Sequence, residues 1–486
     1  MNFLKKLFDM EKGFYRKVLI LALPIALQSL ITIGVNMLDN LMVSRIEGLG
    51  KTALASVSLA NQFISIYHIF CMGLGMGASV LVARYWGMRE NDLEKAMKAL
   101  RKTICLMVRL TVGLAAIFAL LTFFIPNEIM MLFVEEGQEP AIIQNGITYL
   151  KYSVVTFFFL GLSLTCTIVL RSVGQVRMPL YVSIGAFFVN LIANWGLIFG
   201  NFGLPKMGIA GAALGTLIAR IYECCVICGY LFFVDRKIGF RIKHLFMKTG
   251  DLIGEYVRIS IPVLISDGIL AFGNTAVAMV IGRLGETFIA ANSVTATTQQ
   301  MSSVMIQGVC QAGAIVTGQT LGEGNKEKAQ KQGYGFLGFG IALGLVSALF
   351  IVLTSDFFIS IFCATPETAD VAPMARHLMN AIAIIVIFQA TNSIMTKGVL
   401  RGGGDTKMLM LADNIFLWVL SIPLGIIAGF VLHLSPFWIY ICLKSDQITK
   451  AIWCVIRLRS GKWIKKIKTG KNDVVKGFDD VREQEA

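Results

Sequence analysis

PIALQSLITIGVNMLDNLMVSR, residues 24–45, is an apolar helix-forming run that carries one carboxylate, Asp39, shortly before a turn at Val43-Ser44-Arg45. Ser29, Thr32, Asn36 and Asp39 follow one another at spacings of three, four and three, which puts them on one face of an α-helix. The other faces are apolar. An acid in such a run costs about 2.5–3.5 kcal/mol at the centre of a membrane span unless it has a partner, a proton or water. Asp39 is therefore a candidate functional residue, the competing role being a hydrogen-bonded brace between helices.

The pattern returns. PVLISDGILAFGNTAVAMVIGR, residues 262–283, again runs from a Pro through a polar helix face, here Asp267 and Asn274, to an Arg after the same interval. After a three-residue deletion, Gly50, Gly73 and Gly87 fall on Gly285, Gly308 and Gly322. Further on, VLRSVGQVRM at 169–178 aligns with VLRGGGDTKM at 399–408. The chain is an internal duplication. Its chemistry is less symmetric than its scaffold, because Asp39 aligns with Val277 and Asp267 with Ser29.

Composition sets the class. Of 486 residues, 56% are hydrophobic and 15% charged, and the mean hydropathy is +0.70, more apolar surface than one water-soluble core can hide. The formal net charge of +14 raises the question of nucleic acid. The basic residues stand at the ends of apolar runs instead of forming an aromatic–basic face, which speaks against such a partner. The lipid bilayer is the expected surrounding. Ten cysteines show no disulfide or zinc spacing, and Cys225 and Cys228 lie inside an apolar helix as packing residues. No metal-ligand spacing is present in the sequence, and no cofactor is expected.

Twelve apolar runs, at 18–43, 53–83, 104–125, 149–170, 178–200, 208–234, 257–281, 288–318, 333–354, 375–396, 408–432 and 436–455, are each near the ~20 residues needed to cross a bilayer. The expected fold class is an all-α integral membrane protein with twelve transmembrane helices in two pseudo-symmetric six-helix lobes. Lys and Arg orient it: with a cytoplasmic N-terminus, roughly 33 of the 44 lie at the termini and after even-numbered spans, and only a handful after odd-numbered ones. Both termini are then cytoplasmic. The expected organisation is an amphipathic segment at 1–17, an N-lobe at 18–234, a basic cytoplasmic linker at 235–256, a C-lobe at 257–456, and a basic-then-acidic tail at 457–486. Six spans per repeat, an even number, relate the halves by an axis along the membrane normal. Two such lobes suit transport by alternating access through one chain, so the protein is expected to function as a monomer, in a prokaryotic cytoplasmic membrane.

The opening Pro24 to Arg45 stretch with its Leu38-Asp39-Asn40, the run Gly73-Leu74-Gly75-Met76-Gly77-Ala78, the loop Leu400-Arg401-Gly402-Gly403-Gly404-Asp405-Thr406 and Gly208-Ile209-Ala210-Gly211-Ala212-Ala213 form a set that resembles the multidrug and toxic compound extrusion (MATE) family, over about residues 15–463. The resemblance implies export of amphipathic, often cationic, organic compounds in exchange for H+ or Na+. It also assigns cation coupling to Asp39 with Asn190, Asn194 and Thr216. Some members carry Asp where this chain has Asn194, which leaves the coupling ion open.

For a substrate cavity the candidates are Asn36, Gln62, Asp267, Asn274, Gln300, Ser303, Gln307 and Asp413. Gln300, Ser303, Gln307 and Gln311 form a polar stripe at helical spacing, which suits a water-filled cavity or another helix. Arg220 and Glu223, three apart, read as an ion pair that fixes helix packing. Two other functions compete. A flippase for lipid-linked oligosaccharide or peptidoglycan precursors calls for an Arg-rich lining, for which Arg109, Arg220 and Arg258 are the few candidates. An enzyme calls for clustered ligands or a nucleophile with its base, whereas the four His, at 68, 244, 377 and 433, are widely spaced.

Overall fold

The computed structural model describes residues 11, 13–46, 50–133, 140–362 and 371–466. The amphipathic segment before Glu11, residues 134–139 and the tail from 467 onward lie outside the described residues. Helices account for nearly all of the rest, and no strand occurs among the described residues.

In chain order the helices are α1 (Phe14–Ser44), α2 (Gly50–Met88), α3 (Leu93–Phe124), α4 (Pro126–Met131), α5 (Pro140–Ser153), α6 (Thr156–Ser172), α7 (Arg177–Phe199) and α8 (Ile209–Val234). They continue as α9 (Gly250–Gly282), α10 (Glu286–Gly322), α11 (Lys326–Phe362), α12 (Val371–Leu400), α13 (Thr406–Val431), α14 (Pro436–Leu443) and α15 (Ser445–Arg459). Pro24 and Pro262 both lie inside their helices, at matching places in the two repeats.

Among the described residues nine helices are long and apolar enough to cross a membrane, and α5 with α6, bent by 56° between them, make a tenth candidate. Two of the twelve expected runs are not in that set. α10 is a single helix of 37 residues, but its Thr, Ser and Gln content lowers its hydropathy. The last run divides at Lys444, whose φ of −117° and ψ of 14° interrupt the helix between α14 and α15. The fourth run also differs from its expected form, because it begins inside α5 and turns at 154–155. The linker is partly helical: a 3₁₀ turn spans Ile242–Phe246, and α9 starts at Gly250.

The repeat is visible in hydrogen bonds. α6 ends in a turn where Gly174 (φ 83°) donates to Arg171 O at 2.8 Å and Gln175 N donates to Leu170 O at 2.9 Å. α12 ends the same way, with Gly404 (φ 81°) to Arg401 O at 2.8 Å and Asp405 N to Leu400 O at 3.2 Å. This is a Schellman-type stop, and the positive φ explains the glycine at both positions.

The chain divides into two compact units, one of Leu27–Val82 with Met97–Tyr256, the other of Met1–Ala26, Ala83–Ala96 and Val257–Ala486. In the first, α7 packs on α8, and α5 and α6 pack on α8 as well. Its core holds Phe63, Tyr67, Phe118 and Phe157, edge-on or tilted to one another, and the Tyr67 hydroxyl donates to Phe157 O at 2.7 Å. The linker is tied to α3 by Arg101 Nε to Ile238 O (3.2 Å), Arg109 Nη2 to Leu245 O (2.6 Å) and Lys102 to Asp251 (2.5 Å). Several of the basic residues that mark this side thus bind protein carbonyls and a carboxylate.

In the second unit α12 is central, packing against α10, α11, α14 and α15. Here the ends of α2 and α10 cross closely. A Cβ on Gly87 would collide with Gln319 O, and one on Gly322 with Arg84 O. Gly87 and Gly322 are partners in the repeat, as are Arg84 and Gln319, so the crossing is reciprocal. The Arg84 guanidinium is buried and donates to Gly403 O (2.5 Å) and Lys465 O (2.6 Å).

Candidate functional site

In the first unit α1 presents Asp39 to α7, where Asn190 and Asn194 lie one turn apart and are 4% and 1% exposed. Asn194 Nδ2 donates to Asp39 Oδ1 at 2.6 Å and lies 3.4 Å from Asn190 Oδ1. A bond this short to a carboxylate is charge-assisted and about twice as strong as a neutral one. The fit depends on a glycine. Gly215 of α8 faces the Asn194 amide so closely that a Cβ would overlap its Oδ1. That oxygen is buried and accepts no hydrogen bond.

Arg220, on α8, is held by Glu223 at 2.7 Å and also lies within electrostatic range of Asp39. The expected helix pair is present. Thr216, one turn before Arg220, lies beside Tyr149, whose hydroxyl reaches Asn61 Oδ1 at 3.4 Å. The structure thus brings Asp39, Asn190 and Asn194 together and places Thr216 near a Tyr149–Asn61 pair. Tyr149 and Asn61 had no signal in the sequence. Tyr149 enters from α5, beyond the bend, and Asn61 stands beside the more conspicuous Gln62. Asn36, one turn before Asp39, and Gln62 are exposed.

The second unit holds a different arrangement. Asp267 pairs with Arg401 at 3.3 Å, and Ser266 donates to Asp413 at 3.2 Å. Asp413 is buried and also meets Lys450 at 3.4 Å. The repeat counterpart of the Ser266–Asp413 bond lies in the first unit, where Gln28 donates to Ser183 at 2.7 Å and accepts from Arg171, the equivalent of Arg401. Asn274, Gln300 and Gln307 are exposed and Ser303 is half-buried, its hydroxyl donating to Gln300 O at 2.9 Å. Exposed amides on a membrane helix do not suit contact with lipid; they suit water.

Chemically, the Asp39 cluster offers one carboxylate, two amide oxygens and a nearby guanidinium. That set suits reversible binding of a proton or a small hard cation. Among the described residues no group of three or more His, Cys, Asp or Glu is placed to hold a metal ion. The nine described cysteines are free thiols, and Cys228 Sγ lies 3.4 Å from Cys166 and 3.7 Å from Cys224 between α6 and α8.

A family model described as MatE matches residues 24–195 and 262–450, two blocks that begin at the two repeated prolines. The chain is 26% identical over 451 residues to a probable multidrug resistance protein NorM of Mesorhizobium japonicum, covering 91% of this chain and 93% of that one. It is 25% identical over 418 residues to a protein of the same description from Thermotoga maritima, covering 85% and 86%. Among solved structures, a MOP superfamily transporter from Pyrococcus furiosus superposes with a TM-score of 0.80 at 18% identity, over 93% of this chain and 99% of that one. The matched blocks take in both repeats, and the chain belongs to the MatE family of multi-pass membrane transporters.

Proposed function

We propose that the protein is a secondary active antiporter that exports amphipathic, cationic organic compounds in exchange for H+ or Na+ by alternating access. The observation that carries this reading is the Asp39 carboxylate inside a membrane helix, bonded by Asn194 at 2.6 Å beside a buried amide oxygen that has no donor. A carboxylate that exchanges its cation between two states changes its hydrogen bonds to α7, and with them the packing of α1. Relatives described as multidrug resistance proteins support the substrate class.

In this reading α10 and the α14–α15 pair are the eighth and twelfth crossings, both termini are cytoplasmic, and residues 18–234 and 257–456 are the two lobes. The exposed Asn36, Gln62, Asn274, Gln300 and Gln307 line the water-filled route, and the protein works alone in the cytoplasmic membrane. The flippase alternative is less well supported, because two of its candidate arginines are already committed: Arg109 to Leu245 O and Arg220 to Glu223.

The test is uptake of a fluorescent lipophilic cation into proteoliposomes under a proton or a sodium gradient imposed separately, with wild type beside Asp39→Asn. One gradient is expected to drive uptake in the wild type, naming the ion, and neither in the variant. Equal gradient-driven uptake by both proteins would remove Asp39 from the mechanism.

A further inference from the structure

In the first unit, residues 235–249 join α8 to α9 as a folded strap with two unlike faces. The inner face is buried: Asp235, Ile238, Phe240 and Thr249 are each 5% exposed or less. Arg241 closes it, Nη1 donating to Phe232 O, Asp235 O and Phe240 O at 3.0, 2.9 and 3.1 Å. The outer face carries Arg236, Lys237, Lys243 and Lys248 together with Ile242 and Phe246, all exposed, Phe246 to 81%. No carboxylate of the linker offsets that charge. Asp235 is bonded by Gln175 Nε2 and by the Ile238 N–H, each at 2.8 Å, Asp251 pairs with Lys102, and Glu255 is buried.

The level of the strap is fixed by α3. Near the start of that helix Arg101 Nε donates to Ile238 O at 3.2 Å. Eight residues further along, about 12 Å by the helical rise, Arg109 Nε and Nη2 both donate to Leu245 O, at 3.0 and 2.6 Å. Arg109 is long, but Cys105 is short, and its Sγ also donates to Leu245 O, at 3.2 Å. The apolar run of α3 starts at 104. Leu245 therefore lies at the edge of the hydrocarbon layer, and the next residue, Phe246, is exposed at that depth. An exposed aromatic ring flanked by lysines at the margin of a span suits the interface, with the ring below the headgroups and the ammonium groups among them. A protein partner at that depth would have to displace lipid.

We propose that the linker docks on the anionic phospholipid headgroups of the leaflet it faces, with Ile242 and Phe246 at the boundary of headgroups and acyl chains and Arg236, Lys237, Lys243 and Lys248 on the phosphates. The inference rests on the cytoplasmic placement of the linker in the reading above, since anionic lipid gives that surface its negative potential. It uses neither Asp39 nor the coupling ion. The order of the strap then depends on the charge of the leaflet.

The test uses the full-length protein, one copy per lipid nanodisc, at neutral pH. Hydrogen exchange of residues 236–248 is compared between discs of phosphatidylcholine alone and discs of equal parts phosphatidylcholine and phosphatidylglycerol. Each Lys or Arg at an anionic surface is worth about fivefold in binding, so exchange about tenfold slower in the anionic discs is expected for the wild type. The joint variant Arg236→Gln, Lys237→Gln, Lys243→Gln and Lys248→Gln is expected to exchange equally in both. In Phe246→Trp, the emission added over wild type should be quenched by lipids brominated on their acyl chains. Equal wild-type exchange in the two discs, a difference that survives the Gln variant, or an unquenched indole in Phe246→Trp overturns the proposal. So does slowing that appears only with two copies per disc, which assigns the face to a second copy. Should the Gln variant fail to fold, the wild-type comparison and Phe246→Trp decide. Both leaflets of a disc carry the same lipids, so failure there counts against the anchor alone; the cytoplasmic placement fails separately, if trypsin added outside spheroplasts cuts at Lys237.

Discussion

Asp39 is where cost and function meet. The expense of an acid in an apolar run made it stand out in the sequence, and Asn190 and Asn194 joined it through the family resemblance. No spacing on α1 points to α7. What the sequence does not reveal is the space that lets the amide sit there: Gly215 faces Asn194, and Tyr149 arrives from the far side of a bend that no Pro or Gly announces. Gly215→Ala is expected to push the Asn194 amide off Asp39 and to cost about 1–3 kcal/mol, the usual range for overpacking. A lower thermal unfolding temperature of the purified protein, with weaker cation-driven uptake, is the expected result. Unchanged stability and uptake would show that the close approach has no consequence.

At the scale of elements, the two Pro-led segments, the Gly turns after α6 and α12 and most helices were legible from periodicity and from the doubled motif. Breaks within helices were not. The interruption at Lys444, before Ser445-Asp446, and the turn at 154–155, in Ser153-Val154-Val155-Thr156, carry no Pro or Gly to mark them, and such residues are also common inside helices. The reciprocal crossing of α2 and α10 shows the value of the repeat: alignment marks Gly87 and Gly322 as equivalents, and the structure gives the reason, backbone against backbone. Gly87→Ala should lower the unfolding temperature, again by about 1–3 kcal/mol of stability, because the obstacle is a carbonyl that cannot rotate away. A variant as stable as wild type would mean that the helix ends part easily.

The linker carries a prediction of its own. His244 Nδ1 accepts the Arg241 backbone N–H at 2.9 Å, and burial, with Arg101 and Lys243 nearby, pushes its pKa below the ordinary value of 6.5. A depressed folded pKa means that this contact's stability is present above pH 6.5 and is lost as pH falls through the folded value. Hydrogen-exchange protection of residues 241–246 should drop between pH 7 and pH 5. It should be insensitive to pH in His244→Gln. A wild-type linker equally protected at both values would contradict this.

For the whole molecule, hydropathy and the duplication pointed to a two-fold repeated helical membrane protein, and the MatE match spans both repeats. The exchange of a cation for an organic compound is the central claim, and competition at equilibrium tests it most directly. Binding of a fluorescent lipophilic cation to the purified protein is measured while proton and sodium concentrations are varied in turn, in wild type and in Asp39→Asn. Coupled exchange through Asp39 predicts that one of the two cations weakens dye binding in the wild type and has no effect in the variant. Dye affinity indifferent to both cations in the wild type would contradict it.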